Sequence, residues 1–496
     1  MGHEQVTLSD DLMSIEELIK VARGAELRLS PQARSRISAS RDVVDAALDR
    51  GKPVYGLNTG LGHNRDVALP RAELQRIQEM LVSNHAGGVA GRPLATEIIR
   101  AAMAVRVNGI VRGGSGASIE VVETLVAMLN RRVHPVASAV GSVGAADLPQ
   151  MASIAAVAIG RGQAEHNGDL VDGASALSRA GIAPLALQPK DGLTLMSANG
   201  VSIGHGALVV ARAAHVIAVA DVVVASSLEA VGGNPSIIHP SVAKAKPFPG
   251  QVAACRRIES LLQGSDLFDP SVPSSIQDPL SFRVAPQVHG AGREFAQGAR
   301  NAVEIELNSM SDNPLVDPDG AGMIHNGNFH PMVMALSFDA LRVALAHVGQ
   351  ISERRMSHLW DATFKSLDFS SSPAPHETFG ISVRYPAAAV FAELKQLAAP
   401  ATLDVPSLDI GVEDHATAAP LTVEKTDNAL DLLEHLLAAE LMMARDLWNA
   451  AGARRKLGTG AAAAFGAIDD AYRVVPPASA SDAHGMVVDA LKRLQL

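Results

Sequence analysis

A single cysteine, Cys255, in 496 residues excludes an internal disulfide framework and any cysteine-rich zinc cluster. A reducing, cytoplasmic setting is the natural expectation, with the thiol a small buried side chain. Aromatic residues are as scarce, at 3% of the chain with 2 Trp and 3 Tyr. A core without large rings must be filled by small and aliphatic side chains, which close helix packing supplies. Net charge is only −10 and no long run of one sign occurs, so neither nucleic acid nor a membrane surface is an expected partner. The opening residues, Met1-Gly2-His3-Glu4-Gln5-Val6, show neither a basic-then-apolar export signal nor the hydroxyl residue at position 6 that myristoylation needs. The most apolar stretch, residues 207–228, is broken by Arg212 and Asp221 and reads as a buried helix, not a membrane span. A Walker loop, a His-Glu-x-x-His pair and a Gly-x-Ser-x-Gly elbow are all absent. His289, His325, His330 and His415 lack metal-ligand spacing, so no metal is expected.

What is present is helix. With 47% hydrophobic and 19% charged residues, a chain of this length buries a large core. Ser14-Ile15-Glu16-Glu17 has the form of a capping box, opening an amphipathic helix through Val21 with Gly24 as its terminator. Apolar residues recur at three- and four-residue spacing near 97–112, 117–130, 200–230, 331–360, 385–399 and 420–450. The predicted fold class is therefore all-α, mainly helical, with a long central helix bundle. Segments 200–230 and 331–360 carry so little charge that more than one face needs cover, and a subunit interface is the simplest cover. The Pro/Ser-rich stretches from Pro247 to Pro279 and from Ser370 to Pro375 are expected to be loops. No linker or internal repeat stands out, so residues 1–496 are expected to form a single unit, with 1–198 as its N-terminal part and 199–496 as the bundle and C-terminal helices.

Several short blocks carry a more specific signal. Gly141-Ser142-Val143-Gly144-Ala145-Ala146-Asp147-Leu148 resembles the Gly-Ser-Val-Gly-Ala-Ser-Gly-Asp-Leu signature of the histidine and aromatic amino-acid ammonia-lyase family. Tyr55-Gly56-Leu57-Asn58-Thr59-Gly60-Leu61-Gly62 is similar to that family's Tyr-Gly-x-Asn-Thr-Gly-Phe-Gly loop, and Asn84-His85-Ala86-Gly87-Gly88-Val89 to its Ser-His-Ala-x-Gly segment. Arg106-Val107-Asn108 with Gly114-Ser115-Gly116, Pro189-Lys190-Asp191-Gly192-Leu193 leading to Asn199-Gly200, and Gln277-Asp278-Pro279-Leu280-Ser281-Phe282-Arg283 follow in family order. So do Glu306-Leu307-Asn308-Ser309-Met310-Ser311-Asp312-Asn313-Pro314, Gly327-Asn328-Phe329-His330 and Val412-Glu413-Asp414-His415.

The resemblance implies the ammonia-lyase fold, a homotetramer with active sites shared between subunits, and an amino-acid-like substrate. It places Tyr55 as the base that takes a β-proton and Glu413 near the amine. Arg283 is placed as a bidentate clamp on a substrate carboxylate, with Gln277 beside it. His85, Asn108, Asn199, Asn313 and Phe329 fall at binding positions. The family builds its electrophile, a methylidene-imidazolone, by cyclising and dehydrating the Ala-Ser-Gly tripeptide. Here that loop is degenerate at Gly144, Ala145, Ala146 and Asp147: it is one residue shorter and its serine is missing. Leu280 also stands where the family has a tyrosine. The expectation is a lyase that carries out elimination, or the reverse addition, with no prosthetic group. A cofactor-independent cyclase or isomerase and a non-catalytic binding subunit are the alternatives.

Overall fold

The computed structural model describes residues 4–88, 90–273, 275–320, 322–367, 378–452 and 455–494. The expected loop from Ser370 to Pro375, and Val89 of the second family block, lie outside them. The chain forms two compact units, each discontinuous in sequence. The first comprises Met1–Val209, Arg300–Ser337 and Pro400–Glu424; the second comprises Val210–Ala299, Phe338–Ala399 and Lys425–Leu496. Helices Gly200–Val231, Ala285–Leu307, Met332–Ser366 and Ala419–Ala450 each contain a boundary between them.

In the first unit the capping box is closed. The Ser14 hydroxyl accepts from the Glu17 backbone N–H at 3.2 Å, and the Glu17 carboxylate accepts from the Ser14 N–H at 2.8 Å. Helix Ile15–Ala22 follows and ends before Gly24, whose φ of 113° favours glycine. Helix Thr96–Val111 is buried on nearly all sides, which its composition permits because its polar groups are spent internally. Arg100 donates to the carbonyls of Val21, Ala22 and Leu129, closing two helix ends at once. Arg106 forks onto Asp312 at 2.7 and 3.2 Å, and Ser115 donates to the same carboxylate at 2.6 Å. Lys190 is buried beside them, its pKa pushed down by desolvation to about 8. Asp191 accepts from Ser118 N and Oγ and from Gln188 N. Three of the family blocks thus supply one buried polar network that holds the helices together.

The fold is mainly helical, as expected, with four small sheets beside the helices among the described residues. Gln5–Leu8 pairs in parallel with Glu26–Leu29; Val133–Pro135, Gln163–His166 and Asp169–Asp172 form an antiparallel sheet; two further antiparallel pairs complete the set. Each strand has only three or four residues, too few for alternation to register as a pattern.

The second unit corrects one loop assignment. Within the Pro247 to Pro279 stretch, Pro249–Leu261 is a 13-residue helix with Pro249 in its first turn, where the missing N–H costs nothing. Cys255 lies on its buried face, and burial raises the thiol pKa. The apolar stretch 207–228 tolerates its charges because they are paired. Arg212 meets Asp427 at 2.7 Å and Glu434 at 2.9 Å, while Asp221 meets His289 at 2.7 Å. Arg355 and Glu440, both fully buried, form a two-pronged pair at 2.6 and 2.8 Å. Arg355 also donates to the Ser281 carbonyl at 2.9 Å, which anchors the turn that carries Arg283.

Candidate active site

Tyr55 sits in a turn-rich loop braced from within. The Asn58 amide oxygen accepts from Val54 N at 2.7 Å, and Leu57 is buried with Val44, Ala47 and Val316. Gly56 has a φ of 65°, in the left-handed region that favours glycine, and a Cβ there would press on the tip of the Leu193 side chain at 2.3 Å. The Tyr55 hydroxyl accepts a long bond from Gly62 N at 3.3 Å, and its ring stands edge-on to His325 at 6.3 Å. Burial raises its pKa, and the carboxylates of Glu413 and Asp409 raise it further.

Glu413 closes a short turn through a bridge to Leu408, with backbone bonds of 2.8 and 3.2 Å. Its carboxyl is raised above the ordinary range by burial first and by Asp409 second, while His85 pulls it down. His85 ends helix Leu74–His85, and its Nδ1 lies 2.8 Å from the Leu81 carbonyl. A carbonyl only accepts, so Nδ1 carries the proton. The structure therefore gathers Tyr55, Glu413 and His85 into one electrostatic neighbourhood.

Asn199 and Phe329 also come together. The Asn199 amide donates to the Phe329 carbonyl at 2.8 Å, and its buried Oδ1 has no hydrogen-bond partner among the described residues. The Phe329 ring is edge-on to His330, whose Nε2 lies 2.8 Å from His415 Nδ1. Asn108 and Asn313 are tied to backbone. Asn108 is fully buried and donates to the Leu307 carbonyl at 2.8 Å, and the Asn313 amide oxygen accepts from Asn326 N at 3.1 Å.

The segment 141–148 is a closed turn. Gly144 and Ala146 form a bridge, with φ of 84° and 61°. The Ser142 hydroxyl donates to the Ala146 carbonyl at 3.0 Å and accepts from Gly144 N at 3.1 Å. From outside, Thr417 donates to the Gly144 carbonyl at 2.7 Å and Ala418 N to the Val143 carbonyl at 2.8 Å. A Cβ on Gly144 would fall 2.4 Å from the Thr417 hydroxyl, so the strap passes over it too closely for any other residue. Asp147 then stands at the N-cap position of the next helix, with its carboxylate turned to Ser202, from whose N and Oγ it accepts at 2.7 and 2.8 Å. Complete burial outweighs those donors and raises its pKa to about 6.

Gln277 and Arg283 belong to the second unit. With its oxygen facing the guanidinium, the Gln277 amide accepts from both terminal nitrogens of Arg283 at 3.0 and 3.1 Å. No carboxylate among the described residues pairs with Arg283, and its Nε is buried without a partner. A neutral amide aims the guanidinium without neutralising it. Leu280 is largely exposed and lines a cavity of about 380 Å³ with Gln350, Arg354 and His358.

Two functional candidates escape sequence reasoning. His63 and Asp409 pair at 2.7 Å beside the Tyr55 loop. Their partnership joins residues 346 positions apart, and only the place of His63 next to the Tyr55 block hints at it.

A family profile described as aromatic amino acid lyase matches residues 13–470. The chain belongs to that family. Among curated relatives, the histidine ammonia-lyase of Caldanaerobacter subterraneus subsp. tengcongensis is 36% identical over 444 residues, which are 89% of this chain and 87% of that protein. The histidine ammonia-lyase of Anaeromyxobacter sp. (strain K) is 37% identical over 454 residues, 89% of each. Among solved structures, ergothionase from Treponema denticola, an ergothioneine degrading enzyme in complex with desmethyl-ergothioneine sulfonic acid, matches with a TM-score of 0.91. It is 27% identical over 99% of both chains. Tyrosine aminomutase from Streptomyces globisporus matches with a TM-score of 0.89 at 28% identity, over 99% of this chain and 97% of its own. This aromatic amino acid lyase family member thus has the ammonia-lyase and aminomutase fold and is an enzyme of the lyase class.

Proposed function

We propose that this lyase eliminates an amine from an amino-acid-like carboxylate without a methylidene-imidazolone group, and that the amine leaves as a fully alkylated nitrogen. The observation that carries the reading is the 141–148 turn. The family's prosthetic group does not fit the residues there, because Ala145-Ala146 offers no hydroxyl to lose. Ser142 has both hydrogen-bonding functions committed inside the turn, and Val143 follows it where ring closure needs an unhindered amide.

An electrophile serves to make a poor leaving group leave. A trimethylammonium group needs none, since it departs as neutral trimethylamine, and with no lone pair it has nothing to offer an electrophile. Ergothioneine, the substrate class of the ergothionase neighbour, is such a betaine. In the elimination the Tyr55 phenolate takes a β-proton, the C–H electron pair becomes the α,β double bond, and the Cα–N pair leaves with trimethylamine. Glu413 faces the trimethylammonium group of the bound substrate, Arg283 holds the carboxylate, and His85 with Asn199 and Phe329 lines the far side. As in the family, the working form is a cytoplasmic homotetramer with active sites shared between subunits.

The test is a panel of ergothioneine and the α-trimethylammonio derivatives of histidine, phenylalanine and tyrosine, each beside its parent amino acid. Trimethylamine release from at least one betaine, with no ammonia from the parents, is the expected outcome. Ammonia from histidine or phenylalanine at a comparable rate contradicts the reading.

A further inference from the structure

Asp409 touches the Tyr55 loop at two points. Its Oδ2 accepts from the His63 backbone N–H at 2.9 Å and its Oδ1 meets His63 Nδ1 at 2.7 Å. The bond from His63 holds the Asp409 carboxyl below the usual carboxylate range, so Asp409 accepts and Nδ1 is the donor. Both sides are shaped for this meeting. Asp409 and Ile410 occupy the left-handed region, with φ of 47° and 55°, where a turn needing only reversal would carry glycine or asparagine. Opposite them Gly62 has a φ of 56°, and a Cβ there would lie 1.8 Å from Asp409 Oδ2.

The contact links the two groups assigned to chemistry. Gly62 N donates to the Tyr55 hydroxyl, and the next residue is His63. Asp409 lies inside the turn that the Leu408–Glu413 bridge closes, so it shares that turn with Glu413. The charge of Asp409 also raises the pKa of both Tyr55 and Glu413. We propose that His63 and Asp409 form a positioning dyad that fastens the Tyr55 loop to the Glu413 turn and sets the spacing of base and carboxylate. The proposal rests on the roles given to Tyr55 and Glu413 above; neither His63 nor Asp409 touches the reacting atoms.

The experiment uses the full-length enzyme, the betaine that releases trimethylamine in the panel, and hydrogen exchange of residues 55–66 and 405–413. His63→Ala and Asp409→Ala each lower kcat about 100-fold, the scale of an ångström's misplacement, with KM within about threefold. Exchange rises in both segments together. Gly62→Ala, which displaces Asp409, reproduces both effects, and His63→Asn, which keeps a donor for Asp409, restores at least about a tenth of wild-type kcat. Unchanged kcat in both alanine variants, exchange rising in one segment only, or His63→Asn no better than His63→Ala overturns the dyad while leaving the lyase reading intact. Coupled exchange with no betaine turned over overturns the lyase reading and leaves the structural link between the two segments.

Discussion

Tyr55→Phe is expected to remove turnover by about 100- to 10,000-fold while ligand affinity stays within about twofold. Only the hydroxyl is lost, and the hydrogen bond it receives from Gly62, at 3.3 Å, is long, so the loop is retained by Asn58 and by the burial of Leu57. The defect therefore falls on kcat. The pH profile supplies the sign. The base must be deprotonated, and burial with two nearby carboxylates raises the Tyr55 pKa above that of an ordinary tyrosine. Activity should accordingly climb with pH through the alkaline range, and steady-state rates from neutral to alkaline pH check it. Removing the charge with Asp409→Asn should shift that limb toward lower pH, because the charge of Asp409 helps hold the Tyr55 pKa up. A Tyr55→Phe enzyme with wild-type kcat removes Tyr55 from the chemistry.

Arg283→Ala is expected to weaken carboxylate binding by roughly 30-fold or more, the lower end of the 2–5 kcal/mol typical when one side of a buried charged pair is truncated. Among the described residues the guanidinium meets the neutral Gln277 amide and pairs with no carboxylate, so its charge is not neutralised there. Arg283→Lys should not recover the loss, since a point ammonium offers neither the fork nor the geometry that Gln277 aims. Calorimetric titration with a substrate-like carboxylate separates this from the Tyr55 defect, because one variant binds without turning over and the other barely binds. Unchanged affinity in Arg283→Ala places the clamp elsewhere.

Long periodic segments were the most legible part of the chain. Helix Gly200–Val231 coincides with the predicted 200–230 and Ala419–Ala450 with 420–450, because each repeats its apolar spacing over many turns. Short elements were not legible. The three- and four-residue strands lack room for a pattern, and helix Pro249–Leu261 hides behind prolines that suit its first turn. At the site, contiguous motifs brought Tyr55, His85 and Glu413 together, as well as Asn199 and Phe329. The same blocks also contain Asn108 and Asn313, whose amides tie backbone segments in the interior. A motif does not distinguish a residue that meets a ligand from one that holds the frame. The His63–Asp409 pair escaped for a different reason, since it depends on left-handed backbone at residues whose side chains do not advertise it.

The most direct measurement is the mass of the intact chain in a preparation that releases trimethylamine. Elimination without a backbone-derived electrophile predicts the mass of the unmodified sequence, with the peptide spanning residues 141–148 unaltered. A mass lower by two waters, mapped to that peptide, would show that the prosthetic group forms and would contradict the account.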